Sequence, residues 1–212
     1  MNRPNNRRDA IKKLAASAVL TGAGGLFAAC TESRPQFAAI DITGADYAQG
    51  LTATDHNGQT RTLKDFVGKV VVLFFGFAQC PDVCPTALAE LAQVKTLLGK
   101  DGDKLQGLFF TVDPERDTVA VLKAYMANFD PSFLALRAEP EQLAVLAKDF
   151  KVYYKKVAGK TPTSYTMDHS AGSFVYDTQG RIRLYTRSAS AATSGGSGAQ
   201  ALAGDIKLLL RA

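Results

Sequence analysis

Two cysteines in the sequence are placed so that they could act together in redox or metal chemistry. Cys80 and Cys84 lie in the stretch AQCPDVCPT, directly after the apolar run KVVVLFFGF. That run is rich in β-branched and aromatic residues, which indicates a strand buried on both faces. The residues after Cys84 have apolar positions at helical spacing. The pair is therefore predicted at the carboxyl end of a strand, the edge at which open α/β sheets place their sites.

The spacing of the two cysteines bears on their chemistry, because a thioredoxin-type pair has two intervening residues and this pair has three. If both residues were helical, the i, i+4 relation would put the sulfurs on one face, and the helix N-terminus would favour thiolates. A disulfide between the two cysteines is still possible if Cys80 lies in an irregular turn, since Cα atoms within ~7 Å can be bridged. So short a bridge removes little chain entropy. A functional role is favoured over a structural one.

The two thiols do not complete a zinc site, so further ligands are sought among the two histidines of the chain. His56 lies in DHNG and is predicted as an exposed turn residue. His169 lies in SYTMDHSAGSFVYD, a polar loop before an apolar strand, and is predicted to reach the thiols. Soft sulfur favours Cu(I) and an added imidazole keeps Cu(II) accessible, so the set of Cys80, Cys84 and His169 predicts one copper ion per monomer.

Two acidic residues near these ligands are candidates for a supporting role. Asp168 could orient His169 or adjust the charge of the site, and simple solvation at the surface is an equal alternative. Asp82, between the cysteines, could tune the thiolate pKa or dock a partner, or could merely face solvent.

The elements that must position these residues follow from the periodicity of the rest of the chain. A hairpin is predicted around Asn57-Gly58, and buried strands at 69–77 and 105–112 alternate with helices at 85–100 and 118–129. A short strand at 133–138, a helix at 141–150, strands in KVYYKKV, SFVYD and RIRLYTR, and a last helix in AQALAGDIKLLLR complete the pattern. This order predicts an α/β, thioredoxin-like domain over residues 49–212. It has a central mixed sheet, helices on both faces and an N-terminal β-hairpin extension.

The first 29 residues have the form of an export signal. They carry five basic residues, including twin arginines, against one acidic residue, followed by a Gly/Ala-rich apolar stretch that ends at Cys30. This resembles a bacterial lipoprotein signal in which Cys30 is lipidated. Ordinary cleavage and an uncleaved anchor are the alternatives, although the apolar stretch is shorter than the ~20 residues of a spanning helix. Each alternative places the domain outside the cytoplasm, on the periplasmic side of a bacterial envelope.

The segments between signal and domain, and before the last helix, lack periodicity. Residues 30–48 are predicted as a tether, and the Ser/Gly-rich residues 188–198 as a mobile linker. The net charge of +5 lies almost wholly in the signal, which leaves the domain close to neutral. Nucleic acid is therefore not an expected partner.

Three motifs together resemble one family. GKVVVLFFGFAQCPDVCPTAL, TVDPERDT and DHSAGSFVYD, in this order, resemble the Sco/SenC family of copper proteins from roughly Leu51 to Arg187. The resemblance implies a thioredoxin-like fold with copper bound by Cys80, Cys84 and His169. It also implies a role in delivering copper to the binuclear copper site of cytochrome c oxidase, or in keeping the cysteines of that site reduced. The expected partners are the oxidase subunit that carries this site or another copper chaperone, with a monomer bound to the membrane.

Two other functions remain open at the level of sequence. The first is a thiol–disulfide oxidoreductase that uses Cys80 and Cys84 to keep partner cysteines reduced, in which His169 would be dispensable. The second is a redox or copper sensor. The three-residue spacing, and Ala171 at the approximate position where thioredoxins carry a cis-proline, argue against general oxidoreductase work. A protein that is not a classical enzyme is expected.

Overall fold

The structure is a computed structural model that describes residues 36–161, 164–187 and 198–211. The strands are β1 Ile40–Asp41, β2 Thr52–Asp55, β3 Thr60–Thr62, β4 Val70–Gly76, β5 Leu105–Thr111, β6 Leu134–Arg137, β7 Tyr154–Ala158, β8 Tyr165–His169, β9 Gly172–Tyr176 and β10 Ile182–Arg187. The α-helices are α1 Val83–Leu98, α2 Val119–Met126, α3 Pro140–Asp149 and α4 Gly198–Leu209, with 3-10 helices at Leu63–Phe66 and Gly99–Lys104.

The central sheet is mixed, as predicted. Its strand order is β1-β10-β9-β4-β5-β6-β2-β3. β4 pairs with β5 in parallel and with β9 in antiparallel orientation, and β5 pairs with β6 in parallel. All seven residues of β4 are buried, because the strand is paired on both edges and covered on both faces. The N-terminal hairpin joins this sheet at its edge through the pairing of β2 with β6.

Helices cover both faces of the sheet, and consecutive residues of β4 show this because side chains alternate along a strand. Phe74 and Gly76 face α1, where Gly76 lies against Cys84. Phe75 points to the opposite face and meets Phe150, the C-cap residue directly after α3, with ring centroids 5.1 Å apart. The predicted arrangement of helices on both faces is confirmed.

Part of the segment predicted as a tether packs on the domain. β1 pairs with β10, and Ala48 is completely buried in the core. The predicted export signal with Cys30, and the linker residues 188–197, lie outside the described residues. Within the described ranges, no helix combines the length and the hydropathy needed to cross a bilayer.

The β7–β8 hairpin forms a separate two-stranded sheet. The segment before Ser170 was predicted as a polar loop, and it is instead strand β8. Its residues alternate between half-buried and exposed, with Tyr165, Met167 and His169 on the half-buried side. Because only one side of the strand is covered, its sequence is polar and lacks the apolar signal of the central strands.

The prediction that His56 is an exposed turn residue is wrong. The side chain is only 9% exposed, and its Nδ1 accepts a hydrogen bond of 3.0 Å from the backbone N–H of Ala135. The backbone N–H of His56 in turn donates to the carbonyl of Ala135. The turn thus folds back on β6, and this burial lowers the pKa of His56.

Candidate metal centre

Cys80 lies in the turn between β4 and α1. Its backbone N–H donates to the carbonyl of Phe77. Since α1 begins at Val83, the cysteines are not the helical i, i+4 pair considered from the sequence: one precedes the helix and the other lies in its first turn. The backbone N–H of Cys84 points at the Cys80 sulfur over 3.5 Å. The first turn of the helix thus donates a backbone N–H to the Cys80 sulfur.

Cys84 has a different environment from Cys80. It is fully buried between α1 and β4, whereas Cys80 is half-buried. Burial raises the pKa of the Cys84 thiol far above its ordinary value. The prediction that both thiols ionise easily is therefore wrong for Cys84. A metal ion bound there must displace the thiol proton, because the ligand form is the thiolate.

His169 is the last residue of β8, and its ring is directed toward the cysteines. Nε2 lies 3.5 Å from the Cys84 sulfur, and Nδ1 lies 2.9 Å from the carbonyl oxygen of Ser170. A carbonyl can only accept, so Nδ1 carries the proton and the lone pair of Nε2 faces the thiol. The ring packs edge-on against Phe74 and Phe77, with centroid separations of 6.1 and 5.7 Å.

The ligand atoms of Cys80, Cys84 and His169 all lie within 4.8 Å of one another. These are the three residues that the sequence analysis predicts as ligands. The fold places Cys80 in the β4–α1 turn, Cys84 in the first turn of α1 and His169 at the end of β8. Two sulfurs and one imidazole nitrogen fit copper in either oxidation state. The same set is one ligand short of a structural zinc site.

The two acidic residues proposed to support the site are both exposed. Asp82 occupies the N-cap of α1 and makes no side-chain cap bond, and Asp168 lies on the side of β8 opposite to His169. The group bonded to Nδ1 of His169 is the carbonyl of Ser170. A backbone carbonyl leaves no mark in the residue types, so the sequence could not indicate it. The roles of Asp82 and Asp168 stay predictions.

Asp117 is hydrogen bonded to the β4–α1 turn, which carries Cys80. It is fully buried, and its Oδ2 accepts hydrogen bonds from the Ala78 backbone N–H and the Thr111 hydroxyl. Burial raises the pKa of Asp117. The neighbouring Thr118 is the N-cap of α2, and its side-chain oxygen accepts a hydrogen bond from the backbone N–H of Val121. The sequence could have indicated the contact between Asp117 and the β4–α1 turn, because TVDPERDT follows β5, which runs parallel to β4 and ends at the same edge of the sheet.

Comparison with known families agrees with this geometry. A family model described as SCO1/SenC matches residues 41–200. The chain belongs to the SCO1/SenC family. The resemblance found in the three sequence motifs is thereby confirmed, and so is the thioredoxin-like α/β fold that it implies.

Relatives of this SCO1/SenC protein occur in mitochondria and bacteria. This chain is 40% identical over 140 residues to the mitochondrial SCO2 homologue of Bos taurus. The aligned region covers 65% of this chain and 53% of the bovine protein. The chain is 30% identical to an SCO2-like protein of Rickettsia felis, covering 81% and 86% of the two chains. The structure of Bradyrhizobium japonicum ScoI with copper bound matches with TM-score 0.65 and 39% identity, covering 74% of this chain and 96% of ScoI. The chain thus spans about half of the bovine protein.

Proposed function

We propose that this SCO1/SenC protein binds one copper ion through Cys80, Cys84 and His169, and uses it to assist assembly of the binuclear copper site of cytochrome c oxidase. The observation that carries the proposal is the convergence of the three donor atoms within 4.8 Å. The lone pair of His169 Nε2 is directed into that cluster. The copper-bound structure of the 39% identical ScoI supports copper as the metal.

Copper is the cargo that the protein delivers, and a set of three protein ligands suits a metal ion that must be released to a partner. Two thiolates hold Cu(I), and the imidazole adds the nitrogen that makes Cu(II) accessible. With three protein ligands, the coordination sphere stays open to a ligand from a partner. Cys80 is half-buried and Cys84 is fully buried. A partner's ligands therefore approach from the side of Cys80, which is the first protein ligand to be replaced.

We also propose a partner and a location, which membership of the family supports. The partner is the oxidase subunit that carries the binuclear copper site, or another copper chaperone, and the protein acts as a monomer. We place the domain on the periplasmic side of a bacterial membrane, anchored through a lipid on Cys30. The Rickettsia felis relative supports a bacterial setting, and the bovine relative indicates that the same domain serves mitochondria.

Anaerobic copper titration of the reduced protein tests the three-ligand site. We expect wild type to bind one equivalent of either Cu(I) or Cu(II). The His169→Ala variant should still bind Cu(I) through the two sulfurs, because soft thiolates suffice for that ion. It should lose nearly all Cu(II) binding, which visible absorption and electron paramagnetic resonance would measure.

The matched control is Thr166→Ala, since Thr166 is an exposed residue of the same strand. This variant should bind both oxidation states as wild type does. If His169→Ala also bound both ions like wild type, the three-ligand site would have to be abandoned.

A second candidate function, thiol–disulfide exchange, is favoured by the difference in exposure between the two thiols. Cys80 is accessible and Cys84 is buried beside it. In this reaction the Cys80 thiolate attacks a partner disulfide, forming a mixed disulfide and releasing one partner thiolate. Cys84 then gives its proton to the released partner thiolate and attacks the Cys80 sulfur, which forms the Cys80–Cys84 disulfide and releases the second partner thiolate. Two electrons pass from the protein dithiol to the partner.

Trapping of the mixed disulfide distinguishes this exchange from copper transfer. With an oxidised peptide that carries the two cysteines of the target copper site, Cys84→Ser should accumulate a mixed disulfide at Cys80. The Cys80→Ser variant should accumulate none, because its remaining thiol is buried. His169→Ala should react at the wild-type rate. Equal trapping by both cysteine variants would contradict the assigned order of attack.

A further inference from the structure

We propose that Arg116 is the positioning residue that holds His169 over the cysteine pair. The inference rests on the proposed function, since it assigns the residue that completes the three-ligand copper site. Arg116 belongs to the DPERDT segment after β5 and is not a ligand. Its guanidinium joins the loop that carries the cysteines to the hairpin that carries the histidine.

The hairpin needs such a connection because it stands apart from the central sheet. Among the described strands, β7 and β8 hydrogen-bond only with each other. The base of the hairpin is closed by bonds between Tyr153 and Ser170. His169 lies at this base, and only Ser170 and Ala171 separate it from β9, which pairs with β4. The direction in which β8 leaves the central sheet, and with it the orientation of the imidazole, depends on how the rest of the hairpin is docked.

Arg116 makes hydrogen bonds both to the loop that carries the cysteines and to strand β8. Its Nη1 donates to the backbone carbonyl of Tyr165, the first residue of β8, over 2.8 Å. The same nitrogen donates to the side-chain oxygen of Gln79, directly before Cys80, over 3.1 Å. One guanidinium nitrogen thus bridges the cysteine loop and the histidine strand. Hydrogen bonds of this charged kind are stronger than neutral ones.

The guanidinium also packs between aromatic rings that lead to the imidazole. Its carbon lies 3.6 Å from the ring centroid of Tyr165 and 5.8 Å from that of Phe77. Phe77 in turn meets the ring of His169 edge-on. Arg116 therefore contacts the hairpin at the start of β8, and reaches the imidazole at its end through one intervening ring. Cation–π contacts of this type favour arginine, whose planar group stacks on a ring.

A buried carboxylate fixes the arginine in place. Nε of Arg116 is hydrogen bonded to Oδ2 of Asp113, which is 3% exposed. The other oxygen of Asp113 accepts a bond of 2.9 Å from the Tyr165 hydroxyl. Asp113 thus holds both the arginine and the residue on which it stacks. A lysine at position 116 would keep the charge but could not make these bonds in the same geometry.

Amide hydrogen exchange of the copper-free protein tests the connection without any metal. Loss of Arg116 removes charge-assisted bonds, so exchange in peptides that cover 152–170 should become about tenfold faster in Arg116→Ala. Exchange in β4 and β5 should stay unchanged, which also shows that the variant folds. Arg116→Lys should resemble Arg116→Ala. Wild-type exchange in either variant would overturn the bridging role.

The matched control is Arg61→Ala. Arg61 also pairs with a buried aspartate, Asp55, but lies on β3 at the far edge of the sheet. This variant should leave exchange in the hairpin within about twofold of wild type. An equal acceleration in Arg61→Ala would mean that the effect is general loosening, and the proposal would fall.

Copper binding by the same variants separates this inference from the proposed function. Arg116→Ala should keep Cu(I) binding but bind Cu(II) about tenfold more weakly, with reduced nitrogen hyperfine coupling from His169. If His169→Ala abolishes that coupling while Arg116→Ala leaves it intact, the copper site stands and the positioning role is overturned. If neither variant alters Cu(II) binding, the three-ligand site itself is wrong, whatever hydrogen exchange shows.

Discussion

Cys84 occupies space that a side chain on Gly76 would otherwise fill. A Cβ built on Gly76 would lie 2.8 Å from the Cys84 sulfur and equally close to the rings of Phe74 and Phe109. All three neighbours are buried and cannot move aside without disturbing the core. The last residue of β4 thus has to be glycine for the sulfur to sit against the strand.

Replacing Gly76 with alanine should therefore affect both stability and copper binding. We expect Gly76→Ala to lower the free energy of unfolding by about 1–3 kcal/mol, the usual cost of overpacking a core. Displacement of the Cys84 sulfur should also weaken Cu(I) binding. Denaturant unfolding and competition with a chromogenic Cu(I) chelator would measure the two effects.

The same substitution at Gly204 is the control. Gly204 is an exposed residue inside α4, and a Cβ there has no neighbour within 4 Å. Gly204→Ala should leave copper binding unchanged and stabilise the protein by up to about 1 kcal/mol, because alanine favours helix. Copper binding by Gly76→Ala at wild-type strength would show that the sulfur tolerates the added methyl group.

At the level of secondary-structure elements, two hairpin turns are each built around one buried carboxylate. In the β2–β3 turn, Asp55 accepts from the backbone N–H groups of Asn57 and Gln59, and its other oxygen pairs with Arg61 at 2.8 Å. Gly58 between them has φ of +81°, a conformation that glycine adopts without strain. The side chain thereby takes up the polar groups of the turn.

The β9–β10 turn repeats this construction at the same spacing. Asp177 accepts from the backbone N–H groups of Gln179 and Arg181, and Arg183 pairs with it from the following strand. Gly180, three residues after the aspartate, has φ of +76°. In both turns the arginine follows the aspartate by six positions. The shared spacing indicates a common solution to closing a hairpin with a buried acid.

Asp177 should contribute a pH-dependent part of the stability. Burial alone would raise its pKa, but hydrogen bonds from Arg181 and Gln179 outweigh burial and hold the pKa below its ordinary value. The contribution is present above the unfolded pKa of about 3.9 and is lost as pH falls through the lower folded value. Asp177→Asn should cost about 1–3 kcal/mol at pH 7. Its stability should fall less than that of wild type below about pH 4, as thermal unfolding at several pH values would show.

Asp103→Asn provides the comparison, since Asp103 is exposed. It should change the stability by less than about 0.5 kcal/mol. An Asp177→Asn profile parallel to that of wild type at low pH would contradict the assignment.

The sequence predicted the elements with strong periodicity and missed those set by tertiary contact. The buried strands β4 and β5 and the four helices were predicted close to their observed bounds, because their patterns are long and regular. Strand β8 was predicted as a loop, since it is covered on one side only. The burial of His56 depends on the backbone of Ala135, distant in sequence, and no local pattern records it.

The candidate ligands of the site could be named from residue types, whereas their surroundings could not. Cysteine and histidine have few roles in such a chain, so Cys80, Cys84 and His169 stood out. The contrast between a buried Cys84 and an accessible Cys80 arises from packing against β4. The bridge made by Arg116 depends on the docking of a hairpin that is remote in sequence.

On the scale of the whole molecule, one acidic side chain joins the first and last described segments. Asp205 of α4 is 3% exposed, and its two oxygens accept from the backbone N–H groups of Ala38 and Ala39 at 2.8 and 2.9 Å. These residues directly precede β1. The C-terminal helix thus holds the N-terminal segment beside the edge of the sheet, so chain entering the domain is anchored from position 38 onward.

Removing that carboxylate should release the N-terminal segment and leave the copper site unaffected. In Asp205→Ala the backbone N–H groups of exposed Ala38 and half-buried Ala39 lose their carboxylate acceptor, which should cost about 1–2 kcal/mol in unfolding free energy. Peptides covering 36–42 should exchange their amide hydrogens faster, while those covering the cysteine loop should not. Lys207→Ala, an exposed change in the same helix, should do neither. Unchanged exchange at 36–42 in Asp205→Ala would mean that β1 is held by its pairing with β10 alone.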